Sequence, residues 1–143
     1  MPAKPATRKD FCLLQTFTTR WRDNDVYGHI NNVVFYEYVD TAVNRWILDS
    51  GALDIPDGPV VGLVVETKCT YHAPLAFPDP VTVGMRVGHI GSSSVRYELG
   101  LFRGEAEAAA ADAHFVHVYV DAATHRPVPL PKAFRAALEA MRR

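Results

Sequence analysis

From Val33 to Ser50 the chain offers a helix whose apolar residues run most of the way around its circumference. Val33, Val34, Phe35, Tyr36, Tyr38, Val39, Ala42, Val43, Trp46 and Ile47 leave only Glu37, Asp40, Thr41, Asn44 and Arg45 as a narrow polar stripe. A helix of this kind is expected to be covered on most sides, so whatever else the chain forms has to wrap it. Asn31 or Asn32 suits the N-cap, because a short side-chain oxygen can accept from a free amide one turn in. Gly51 supplies the stop, and Pro56 to Pro59 is a loop.

The remaining segments alternate with period two and supply the wrapping as strands. Phe11 to Trp21 places Phe11, Leu13, Phe17 and Trp21 on one face, and Val60 to His72 places Val61, Leu63, Val65, Cys69 and Tyr71 together. Val81 to Ile90 alternates Val81, Val83, Met85 and Val87 with polar or small residues, and Ser94 to Phe102 turns Val95, Tyr97, Leu99 and Leu101 inward. The segment Glu105 to Ala113 is rich in alanine, yet it leads into the β-branched and aromatic run His114 to Val120, so the whole is expected as one strand. A short C-terminal helix sets Phe134, Ala137, Leu138 and Met141 at amphipathic spacing. The order β-α-β-β-β-β-α, one long helix against an antiparallel sheet, is an α+β layer architecture. Residues 1–10, with Pro2, Pro5 and no periodicity, are expected to fray, and residues 11–143 to form a single domain.

Composition narrows the partners. Fifteen basic and sixteen acidic side chains leave a formal charge of -1 with no basic stripe, which argues against nucleic acid and against a membrane surface. The longest apolar run, Val60 to Val65, is far short of the ~20 residues that span a bilayer. Cys12 and Cys69 lie in apolar segments behind a polar start, so a cytoplasmic protein with reduced thiols is expected.

The chemistry concentrates in the loop from Thr19 to Asn32, which runs directly into the helix. Free N–H groups at a helix start, aided by the helix dipole, can hold an oxyanion, and Asp25 stands a few residues upstream as a nucleophile or general base. Asp23 and Asp25 have a blander reading as loop residues that favour the helix N-terminus. The pairs Cys69/His72 and His114/His117 have chelating spacing, but offsets of three on a strand point to opposite faces, so no metal site is expected. No Gly-x-Ser-x-Gly elbow is present, which argues against a serine triad.

With these residues in view, the stretch Arg22 to Asn32 followed by Tyr36, the segment Pro74 to Val81, Ile90 to Ser94, and Val118 to Pro131 together resemble the 4-hydroxybenzoyl-CoA thioesterase-like acyl-CoA thioesterases. The resemblance implies the hot-dog fold, a curved antiparallel sheet of about five strands around one long central helix. It also implies hydrolysis of an acyl-CoA thioester without a cofactor, and assembly as a homodimer or homotetramer. It assigns the catalytic carboxylate to Asp25 rather than Asp23, and the oxyanion donor to the backbone N–H of Asn32, or of Asn31 if the helix starts earlier. Tyr27, Gly28, His29, Asn31 and Tyr36 are expected around these two as substrate contacts, although His29 reads equally well as a local hydrogen-bonding residue and a tyrosine placed like Tyr36 is more often core than ligand contact. The loop Gly91 to Ser94 lacks the basic cluster that some members place on coenzyme A phosphates, which leaves Arg86, Arg96 or a neighbouring subunit for that task.

Two other functions share the architecture. The hot-dog enoyl-CoA hydratases carry a histidine five positions after their aspartate, whereas His29 follows Asp25 by four. A non-catalytic acyl-thioester-binding module would show ligand affinity without turnover.

Overall fold

A computed structural model describes residues 4–142. Helix α1, Asn32–Ser50, starts one residue earlier than its apolar run, because Asn31 is the N-cap and its side-chain oxygen accepts from the Val33 amide. Gly51 ends the helix in the left-handed conformation, φ 65°, where a side chain would be strained. The buried residues Phe35, Tyr38, Val39, Ala42, Val43, Trp46 and Ile47 form a stripe on one face. Val33 and Leu48 face solvent. Burial on most sides is therefore not what a single chain provides: five strands cover one side of the helix, and its flanks stay open.

The strands are β1 (Leu13–Phe17), β2 (Val60–Tyr71), β3 (Val81–Ile90), β4 (Ser94–Arg103) and β5 (Ala111–Asp121), and α2 is Lys132–Glu139. They form one antiparallel sheet in the order β1-β3-β4-β5-β2, which with α1 across it is the expected hot-dog architecture. The central strands alternate in the face each residue takes, but much of both faces is buried: Thr82, Gly84, Gly100 and Phe102, on the side away from α1, are covered too. Val83, Met85, Tyr97, Leu99, Ala111 and Phe115 point at α1 and are buried, each large one contributing about 1.5–3 kcal/mol. Phe134 and Leu138 of α2 close the end of this core.

Three expectations need correcting. β1 stops at Phe17, and Trp21 leaves the sheet for a 3-10 turn, Trp21–Asp23, because the Asp23 carboxylate captures the Arg20 amide and winds the chain. Phe11 is buried, but in a separate cluster with Phe102 and Ala109. Glu105 to Ala110 is loop rather than strand: Ala106 closes a turn onto Arg103, and Ala109 donates to Ala6. Finally, β2 is an edge strand whose apolar residues are exposed, Leu63, Val64, Val65 and Tyr71 among them.

Of the segment expected to fray, residues 1–3 lie outside the described residues, as does Arg143. The part from Lys4 onward is held against the sheet as an arm. Thr7 bridges Ala108, and Arg8 to Asp10 make a 3-10 turn capped by the Asp10 carboxylate on the Thr7 amide.

Candidate functional site

The loop ahead of α1 is built around Asp23, which is 1% exposed. One oxygen accepts from the Arg20 amide and the Tyr38 hydroxyl, both at 2.9 Å, and the other accepts from the Arg20 guanidinium at 3.0 and 2.9 Å. Burial alone would raise this carboxyl, but the bonds from the Arg20 backbone, Tyr38 and the Arg20 side chain outweigh it and hold the group below its usual value. Burial together with the bond to Asp23 pushes the Tyr38 phenol well up. Asp23 has no acceptor capacity left to offer a substrate. Its carbonyl also accepts from the Asn31 amide, which ties the loop to the helix cap.

Asp25 is placed differently. A small closed turn carries it: its amide donates to His29, Gly28 donates back to its carbonyl, and Gly28 takes φ 80°, a conformation that glycine adopts at no steric cost. Its Oδ1 accepts from the Tyr27 amide at 2.9 Å, which fixes the side chain, while Oδ2 has no donor among the described residues. The turn is anchored on both sides, by Phe77 donating to the Asn24 side chain and by Ile30 donating to Leu75.

A cavity of about 400 Å³ brings Asp25 and Asn32 together with Ile30, Phe35, Tyr71, Ala73 and Pro74. Asn32 is the first residue of α1, and its N–H meets no acceptor among the described residues, as geometry demands of the first helical turn. The walls are apolar and aromatic. Tyr71 stands edge-on to Phe35, ring centroids 5.0 Å apart, and its hydroxyl donates to the Asn32 carbonyl at 3.5 Å. Burial pushes the Tyr71 phenol well up, and the neighbouring Cys69 and Tyr36 add to this.

Of the residues expected in the site, Asp25 and Asn32 share the cavity. Tyr27, Gly28 and His29 are exposed on the turn beside it, Asn31 is spent on the cap, and Tyr36 lies outside its lining. Phe35, Tyr71, Ala73 and Pro74 were not expected there. Tyr71 reaches α1 because its strand runs to the helix start, a long-range pairing with no local signature. Arg86 and Arg96, considered above for coenzyme A phosphates, lie far around the sheet in a second cavity lined by neither Asp25 nor Asn32. His114 bonds Glu66 and Arg96, whereas His117 is buried beside Tyr119, so that pair does face opposite ways.

One long helix laid across a five-stranded antiparallel sheet, with Asp25 and the first residue of that helix lining one small cavity, is the hot-dog architecture found among thioester hydrolases. The chain belongs to the thioesterase-like superfamily, whose family model matches residues 19–138. Among solved structures it is similar to the PA5185 protein of Pseudomonas aeruginosa strain PAO1, at 46% identity over 96% of both chains and a TM-score of 0.93. The PA2801 protein of Pseudomonas aeruginosa is 30% identical over 87% of this chain and 95% of that one, with a TM-score of 0.81. The fold is also that of Slr0204, a 1,4-dihydroxy-2-naphthoyl-CoA thioesterase from Synechocystis, at 17% identity over 87% and 93% of the two chains and a TM-score of 0.79. None of the curated proteins compared with it matches the chain. No helix among the described residues is long and apolar enough to cross a membrane.

Proposed function

We propose that the protein hydrolyses an acyl-CoA thioester, with the Asp25 carboxylate acting at the carbonyl carbon and the Asn32 N–H at the carbonyl oxygen. The observation that carries this reading is the pairing of two unused groups in one cavity: the free Oδ2 of Asp25 and the unpaired amide of Asn32. In the general-base route Asp25 takes a proton from water as the water oxygen bonds to the carbonyl carbon. The C=O electron pair moves onto the oxygen facing Asn32. Collapse breaks the C–S bond, and the proton passes to the departing thiolate. In the nucleophilic route the Asp25 oxygen itself displaces the thiolate, and water then opens the mixed anhydride. Neither route uses a cofactor or metal. An oxyanion donor is worth about 3 kcal/mol and a positioned base about 100-fold or more.

Thioester chemistry suits this modest machinery, because sulfur donates poorly into the carbonyl and leaves readily. The fold shared with a naphthoyl-CoA thioesterase supports coenzyme A as carrier. Hydration has less support, since His29 stands on the exposed turn rather than in the cavity. The assay is thiol release over a panel of acyl-CoA esters, in which Asp25→Asn loses about two orders of magnitude or more. Absence of release from every ester, with the esters still binding, would instead make the protein a binding module.

The working form in this reading is a cytoplasmic homodimer, or a tetramer of paired dimers. β2 is a twelve-residue edge strand with Val64 and Val65 49% and 60% exposed, a template that a soluble protein does not leave open. Its end carries Tyr71 at the cavity, so a second chain on this edge would cover the site as well. Val65→Lys is expected to give monomers in sedimentation and to lower turnover; a wild-type monomer active at micromolar concentration would refute the assembly.

A further inference from the structure

A second cavity, about 670 Å³ and larger than the one at Asp25, lies on the sheet face turned away from α1, between the N-terminal arm and strands β2 to β5. Its construction is specific. Phe11 lies over the sheet where Gly84 and Gly100 leave room, since a Cβ at either position would come within 2.6–2.9 Å of the ring. Glu98 occupies space left by Gly88, where a Cβ would stand 2.5 Å from its carboxyl carbon. The arm is tied down by the Ala6 amide donating to Asp112 and by Arg86 donating to the Asp10 carbonyl.

The charges inside are unbalanced. Arg86 donates through Nε to one oxygen of Glu98 at 3.0 Å, and Arg96 through Nε to the other at 3.1 Å. Two guanidiniums thus share one carboxylate, in orientations fixed further by the Asp10 carbonyl and by His114 Nδ1. Arg86 Nη2 and Arg96 Nη1 make no hydrogen bond among the described residues. Asp112 is engaged by His72 at 2.8 Å and by the arm. Lys4 on the arm and Lys68 on β2 line the same cavity and have no carboxylate partner among the described residues. Five Lys or Arg side chains line the cavity against three Asp or Glu.

We propose that this cavity is a second binding site, separate from the one at Asp25, and that it takes a small phosphate-bearing anion between the Arg86/Arg96 pair and the two lysines. Guanidinium groups held in place by Glu98 present planar donors suited to phosphate oxygens, with little ordering left to lose on binding. The excess positive charge matches an anion carrying two or more negative charges. Such a group could come from a free polyphosphate or from the nucleotide end of a coenzyme.

The test is isothermal titration of the full chain with two probes, inorganic pyrophosphate and adenosine 3′,5′-bisphosphate, at about 50 mM and about 300 mM salt. Saturable binding that weakens at the higher salt is expected. Lys68→Glu and Arg96→Gln should each reduce affinity roughly tenfold or more, as expected when an ionic partner is lost. Lys68→Arg should retain binding. Thermal melts accompany each variant, and Lys4→Glu on the arm provides a further variant outside the sheet. Comparable affinity for both probes assigns the site to phosphate itself, and binding of the nucleotide alone assigns it to the nucleotide. No saturable binding of either probe, or binding that the folded variants leave unchanged, overturns the proposal. Because the readout is binding, it is independent of hydrolysis: an inactive Asp25→Asn protein should bind both probes as the wild type does.

Discussion

Asp23 and Asp25 are two residues apart and chemically identical, and the structure gives them surroundings different enough for a paired experiment. Replacing Asp23 by alanine removes the acceptor for the Tyr38 hydroxyl, the Arg20 amide and the Arg20 guanidinium at a position that is 1% exposed. A buried hydroxyl left unpaired costs about 1–3 kcal/mol. A lost cap adds about 1 kcal/mol. The Arg20 side chain is half exposed and regains water, so its share is small. Asp23→Ala should therefore lose about 2–4 kcal/mol of stability, with Asp23→Asn between it and wild type. Asp25→Asn keeps the oxygen that accepts from the Tyr27 amide, and its stability should change by less than about 1 kcal/mol. Urea denaturation at one fixed protein concentration measures the first quantity, and thiol release under folding conditions measures the second. The expected result is a crossed pattern, Asp23 variants unstable with turnover kept in the folded fraction, and Asp25→Asn stable with turnover lost. An Asp23→Ala protein as stable as wild type, or an Asp25→Asn protein that turns over normally, would refute this division of roles.

Asn32→Pro removes the proposed oxyanion N–H while fitting a first helical turn, so it should cost more in kcat than Asn32→Ala at similar melting temperature; equal losses would move the role to the side chain. His117 is 3% exposed and burial lowers its pKa from 6.5 to about 4. The unfolded chain binds the proton first, so stability present above pH 6.5 is lost as pH falls toward 4, by about 3 kcal/mol in all. Denaturation midpoints across that window should slope less for His117→Leu than for wild type. Gly100→Ala sets a methyl 2.8 Å from the Phe11 ring and should cost about 1–3 kcal/mol, which a melt of Gly100→Ala against wild type would register.

Elements whose instructions are local were legible from the residues alone. The alternation of β3 and β4, the Asn31 cap, the Gly51 stop and the amphipathic spacing of α2 each act within a few residues, and the structure has them where expected. Readings that depended on remote partners went astray. Trp21 continues the alternation of β1, yet the carboxylate of Asp23, satisfied by Tyr38 from the helix, turns the chain before it gets there. Ala109 and Ala110 look like the start of the strand that Ala111 in fact begins, but their amides are used by the arm and by Leu101. The apolar β2 reads as half-buried, and in a single chain no element lies beyond it. The candidate site divides in the same way. Asp25 and Asn32 stand on one continuous stretch and could be found from it, whereas Tyr71 and Pro74 arrive from a distant segment.

The order β1-β3-β4-β5-β2 also bears on how the chain reaches this structure. β3, β4 and β5 follow one another as neighbours joined by short turns, so their contacts close small loops. β1 has to wait for β3, with Leu13 opposite Met85, and β2 for β5, with Val60 opposite Asp121. Closing such distances costs chain entropy before any contact rewards it. The cavity at Asp25 is walled by the start of α1 and the end of β2, both outside the local meander. Its assembly thus belongs to the late stage of folding, and the amides of Ile30 and His72, which donate to Leu75 and Ala110, should become protected from exchange after those of Met85 and Leu99 during refolding.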